Sequence, residues 1–119
     1  MKVAGMTIDL ELPASLWRRQ AILMAAHEAR SSRQRAVQLC AAAMMLCCPE
    51  AQRKSGAPAY GQDMIEYGEA VLDYLLPLGA TLDEVLTAGN AAIEMVSASL
   101  VTAEQVEVAK GNSEAPTGA

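Results

Sequence analysis

The side chains that could do chemistry are few. His27 is the one histidine of the chain, so a metal site with two or more imidazoles is beyond a single copy. It stands beside Glu28, three residues before Arg30, and reads as a solvent-facing or satisfied histidine near a helix C-terminus. Cys40, Cys47 and Cys48 crowd into one apolar run. Such surroundings disfavour a thiolate, so buried unreactive thiols are expected rather than a Cys–His nucleophile. Cys40, Met44 and Cys48, at i, i+4 and i+8, would line one helix face, a donor set that suits Cu(I). The same spacing describes ordinary gap-filling core residues, and no C-x-x-C pattern is present.

Carboxylates gather later, at Asp63, Glu66, Glu69, Asp73, Asp83 and Glu84. Glu66, Glu69 and Asp73 follow i, i+3, i+7 and share a helix face, opposite much of the apolar stripe, as solvated acids do. The E-x-x-H motif of di-iron bundles is absent. Arg18, Arg19, Arg30, Arg33 and Arg35 form the one patch that a phosphate backbone could use, but without aromatic interleaving or a recognition-helix signature it argues against nucleic acid. The preferred reading makes these arginines one half of a charged protein–protein contact whose other half is the acidic C-terminal region. No motif reaches catalytic specificity; the chain is expected not to be an enzyme and to use no cofactor or metal.

The elements that position these groups are mostly helices. Residues 6–12 alternate strictly, with Met6, Ile8, Leu10 and Leu12 on one face, which predicts a half-buried strand. It has no evident mate, since Gly5 leaves only four residues to fold back, and a lone strand invites pairing with another chain through Ile8 and Leu10. Pro13 ends the strand, and its fixed φ suits the first turn of a helix predicted through Leu16, Trp17, Ile22, Leu23 and Met24 to about Arg30. Ser31 and Gln34 form a capping box for a second helix that Pro49 stops after Cys48, apolar all round in its later half and therefore central. Residues 49–59 read as an exposed loop. Tyr60, Met64, Tyr67, Val71, Tyr74 and Leu78 have helical spacing, ending near Leu76. Thr81 and Glu84 cap the next helix, whose stripe is Leu82, Val85, Leu86, Ile93, Val96 and Leu100, with Gly89 allowing a close neighbour. Thr102 and Gln105 suggest a fifth, short helix ending at Gly111, followed by a flexible polar tail over 112–119.

The 119 residues suit one domain, 52% of them hydrophobic and only 3% aromatic with no Phe, a composition that favours helices over strands. The net charge of −5 is divided unevenly. Residues 1–54 carry eight Lys and Arg against four carboxylates, and residues 55–119 one Lys against ten. A chain so polarised can dock head to tail on copies of itself or meet a partner of matching polarity. An odd, clustered set of cysteines fits a reducing compartment. Neither a secretory signal nor a membrane span is expected, because the longest apolar run, Leu39 to Cys48, is half the length that crosses a bilayer.

The helix around Tyr67-Gly68-Glu69-Ala70-Val71-Leu72-Asp73, the Gly79 break, the helix around Leu86-Thr87-Ala88-Gly89-Asn90-Ala91-Ala92 and the Ser113-Glu114-Ala115-Pro116 tail resemble the small accessory proteins of tailed bacteriophages and prophages, such as tail assembly chaperones and head–tail components. The resemblance covers residues 60–119 and carries over no site residues. It implies a non-enzymatic unit that holds or joins virion proteins during assembly, in the host cytoplasm or within the virion.

The expectation is therefore a mainly α single domain over 1–111, an irregular bundle of four to five helices with one short N-terminal β-strand: an arm at 1–12, a basic helical pair at 13–48, the loop, and acidic helices at 60–111. Partners would be proteins, the chain itself included, met through Ile8, Leu10, Arg18, Arg19, Arg30, Arg33, Arg35, Glu66, Glu69 and Asp73. A small cytoplasmic helical adaptor or regulator is the alternative, and a soft-metal or redox bundle the third.

Overall fold

The computed structural model describes residues 1–50, 60–61 and 63–114, with side chains through residue 100. Among the described residues it is mainly helical, with four helices of 12 residues or more preceded by a two-stranded antiparallel sheet. Strands β1 (Lys2–Val3) and β2 (Met6–Thr7) pair as a hairpin with Val3 opposite Met6. The hairpin replaces the expected lone strand over 6–12. Ala4 and Gly5 both take positive φ, 53° and 76°, the backbone of a two-residue type I′ turn. Four residues are thus enough to fold back. The Ile8 N–H extends the pairing by donating to the Met1 carbonyl at 2.8 Å, and Val3 and Ile8 are buried. The chain then crosses the end of the second helix, where the Glu11 N–H donates to the Cys47 carbonyl at 2.7 Å.

Helix α1 spans Leu16–Glu28, its first turn capped by the Ser15 side chain, which accepts the Arg18 N–H. Pro13 therefore stands before the helix rather than in it. A 3₁₀ turn, Ala29–Ser31, leads to α2, Arg33–Leu46. Its cap is Ser32, one residue past the expected Ser31, because Ser32 is the extended residue whose side chain accepts the Arg35 N–H. With Arg35 at that position the reciprocal half of a capping box has no carboxylate to make it.

Every residue from Gln38 to Cys48 is buried, so α2 is the central helix that its apolar run predicts. Helix α3, Met64–Leu75, begins at Asp63, whose carboxylate accepts the Ile65 and Glu66 N–H groups at 2.9 and 3.1 Å. It buries Met64, Tyr67, Gly68, Val71 and Leu75. A 3₁₀ turn, Leu76–Leu78, and a left-handed Gly79 (φ 100°) reverse the chain. Helix α4, Leu82–Glu114, opens with the expected capping box: Glu84 Oε1 accepts the Thr81 N–H at 2.9 Å and Thr81 Oγ1 accepts the Glu84 N–H at 3.1 Å.

Two departures concern α4. Its buried stripe is Val85, Ala88, Ala92, Val96 and Leu100, with Leu86 and Ile93 half-buried and Leu82 exposed. The helix also runs on through Thr102 without a break, so the expected fifth helix is the continuation of the fourth. Between Asn90 and Lys110 there is neither Gly nor Pro, and a helix once nucleated adds residues more readily than it stops for one competing cap. Residues 112–114, expected in the tail, are helical too. Pro49 and Glu50 are helical rather than loop, while the remainder of that loop and 115–119 lie outside the described residues.

Small residues bring the helices together. At Gly68 a Cβ would collide with the carbonyl of Gln38, and at Gly89 with Cα and Cβ of Cys40. Helix α2 is thus wedged between α3 and α4 at nearly backbone-to-backbone distance, the close approach that Gly89 foreshadowed.

Candidate functional site

The residues expected to meet partners are scattered over the fold. Ile8 lies in the core and Leu10 is half-buried, with the Ile8 N–H already committed within the hairpin. The Arg18 guanidinium sits 4.9 Å above the Tyr60 ring, which meets Tyr67 edge-on at 5.4 Å. The Arg19 Nε–H donates to the Pro13 carbonyl at 2.6 Å, anchoring the segment that enters α1. Arg30 and Arg33 are exposed.

Arg35 comes together with Glu66 and Glu69 in an open groove of about 440 Å³ between α1, α2 and α3, walled also by Glu28, Asp63 and Met64. Among the described residues Arg35 is thus the one cation lining this groove, against four carboxylates. Asp73, farther along α3, is exposed and outside the groove. His27 is exposed and borders a shallow depression with Leu23, Met24 and Glu28.

All three thiols are buried and reduced. Burial pushes the Cys40 thiol up from its ordinary value, and burial together with the neighbouring Cys48 takes Cys47 to about 11. The Cys40 Sγ lies 3.7 Å from Asn90 Oδ1, a weak thiol donor meeting an amide acceptor. Among the described residues no three His, Cys, Asp or Glu side chains are grouped to hold a metal ion, and no helix is long and apolar enough to cross a membrane.

The most conspicuous surface lies on α1, the helix predicted through Leu16, Trp17, Ile22, Leu23 and Met24. Of the apolar residues of α1 only Ile22 is fully buried, while Trp17 is 81% exposed, Met24 65% and Leu16 53%. Trp17 and Met24 lie two turns apart on the same face, forming an apolar ridge. A second group, Leu76, Leu78 and Leu82, is exposed where α3 turns into α4. The signal for the ridge is present in α1 itself: the paired apolar residues Leu16-Trp17 and Leu23-Met24 make a stripe wider than one contact face can cover. No family model matches the chain, and neither a curated protein nor a solved structure shows significant similarity to it.

Proposed function

We propose that this chain is a non-enzymatic protein–protein interaction component, acting in the assembly or structure of a phage or prophage particle. The observation that carries the first part is the α1 ridge. An indole 81% exposed, next to an exposed Leu and on the same helix face as an exposed Met, leaves apolar area in water in the isolated chain, and exposed side chains of this kind are where proteins bind one another. Trp is also the residue type most enriched at the centre of such contacts. The virion setting rests on the sequence resemblance of residues 60–119 alone.

The test is site-directed photo-cross-linking of the full chain in the cells that carry its gene, with p-benzoylphenylalanine replacing Trp17 or, as a control, the exposed Glu94. A discrete protein adduct at position 17 and none at position 94 is expected. Absence of any adduct at 17 would overturn the reading. An adduct with a head, tail or connector protein supports the virion setting; an adduct with a host regulatory protein would instead make the chain a cytoplasmic adaptor.

A further inference from the structure

We propose that Met24 is a site of oxidation by hydrogen peroxide, which converts its thioether to a sulfoxide and so turns the α1 ridge from apolar to polar. The inference rests on the proposed binding role of the ridge and adds its regulation.

The methionines stand in two kinds of surroundings. Met44, Met45 and Met64 are 1%, 1% and 6% exposed, inside the core, and Met6 and Met95 are half-buried. Met1 is 50% exposed and Met24 65%. Met1 belongs to the hairpin end of the chain, so Met24 is the accessible thioether of the helices. It borders a shallow open depression with Leu23, His27 and Glu28. Water and a small peroxide therefore reach this side chain without any opening of the fold, whereas Met44, Met45 and Met64 are reached only when the helices part.

The chemistry needs nothing else from the protein. A sulfur lone pair attacks one oxygen of the peroxide and the O–O bond breaks. That oxygen stays on sulfur, and its proton passes through water to the leaving oxygen. One thioether and one hydrogen peroxide give one sulfoxide and one water; sulfur is oxidised by two electrons and the peroxide is reduced by two. A dithiol, acting through methionine sulfoxide reductases, returns the thioether with release of water and formation of a disulfide.

The product differs from the thioether in the one property on which the ridge depends. A sulfoxide oxygen is a strong hydrogen-bond acceptor where the thioether sulfur is a weak one. Covering the face that Met24 shares with Trp17 would then bury a polar group instead of apolar area. Oxidation acts on the free chain, while the ridge is open, and disfavours its being covered. The fold itself is spared, because Met24 packs neither in the core nor against it. The same step at Met44 or Met45 would force an oxygen into closely packed surroundings. The chain thus leaves a thioether in water on its proposed contact face and withdraws those on which its packing depends.

Two measurements test this. The native chain treated with hydrogen peroxide and digested should show, by mass spectrometry, one oxygen gained at Met24 well before Met44, Met45 or Met64, with the helical circular dichroism unchanged. In cells carrying p-benzoylphenylalanine at position 17, brief peroxide exposure should lower the adduct yield about tenfold, the loss expected when one polar group is buried unpaired. The same exposure applied to Met24→Leu should leave that variant's own untreated yield unchanged, with Met24→Ile standing in should Met24→Leu form no adduct. Oxidation of Met24 no faster than that of the buried methionines would overturn the inference. So would an adduct that survives peroxide, or one lost equally from the Met24 variants, each leaving the binding role of the ridge intact. Absence of any adduct at 17 in untreated cells would remove both.

Discussion

Gly89 of α4 lies against Cα and Cβ of Cys40 in α2, so close that a side chain on residue 89 has nowhere to go. Gly68 of α3 stands in the same relation to the Gln38 carbonyl on another side of α2. Gly89→Ala and Gly68→Ala should each destabilise the fold by about 1–2 kcal/mol, an overpacking cost of about 3 kcal/mol exceeding the roughly 1 kcal/mol of helix propensity gained. Gly61→Ala, with nothing within 4 Å of its Cβ, is the control. Urea unfolding of the three variants should separate them cleanly; equal midpoints would mean that the helices can part without loss.

The N-terminal hairpin is held by the same carboxylate that caps α4. Glu84 Oε1 accepts the Thr81 N–H and, at 3.4 Å, the Ala4 N–H from 80 residues away. The Thr81 N–H first, and the Ala4 N–H second, hold this carboxyl below its ordinary value of 4.5. Its stabilising contribution is therefore complete above that value and is lost as pH falls through the depressed one. Thermal unfolding followed from neutral to acid pH should show a larger loss of Tm for wild type than for Glu84→Gln, since only the former has this proton to take up. Parallel curves would show that the carboxylate contributes nothing.

Cys47 should resist thiol reagents. With its thiol held near 11 by burial and by Cys48, almost no thiolate exists at pH 8, and the thiolate is the reactive form. Labelling of the native chain should be limited by opening of the fold and should become fast in denaturant. In the same way the unfolded chain releases this proton from about 9 upward while the folded chain keeps it until about 11, so stability should fall with pH across that interval. Rapid native labelling at pH 8 would contradict the burial.

Ala4 occupies the left-handed region at φ 53° ahead of Gly5, a conformation that costs an alanine about 1 kcal/mol or more. Asn is the residue best suited to the first central position of a type I′ turn before Gly. Ala4→Asn should therefore raise stability by about 0.5–1 kcal/mol, read as a higher urea midpoint at unchanged slope. A lower midpoint would indicate that the Asn side chain disturbs the contact with Glu84.

The candidate surfaces divide in the same way as the fold between what is local and what is not. The groove of Arg35, Glu66 and Glu69 joins three residues named for charge alone, yet their meeting could not be read from spacing, because it depends on how α1 and α2 lie across the start of α3. The exposure of Trp17 and Met24 could not be read from spacing either, because apolar periodicity tells that a face is suited to burial, not that a neighbour arrives to bury it.

What the chain's own order of residues determined is whatever is decided within a turn or two of helix: the Thr81–Glu84 cap, the helical period of α3, the all-apolar α2 and the smallness of Gly89. Caps and periodicity are satisfied by neighbours three or four residues away. What only the tertiary structure decided is which neighbour fills each face: the hairpin seated on Glu84, the glycines against α2, and the ridge of α1 left uncovered. Those outcomes depend on contacts between residues far apart in the chain, where burial, not local preference, carries most of the free energy.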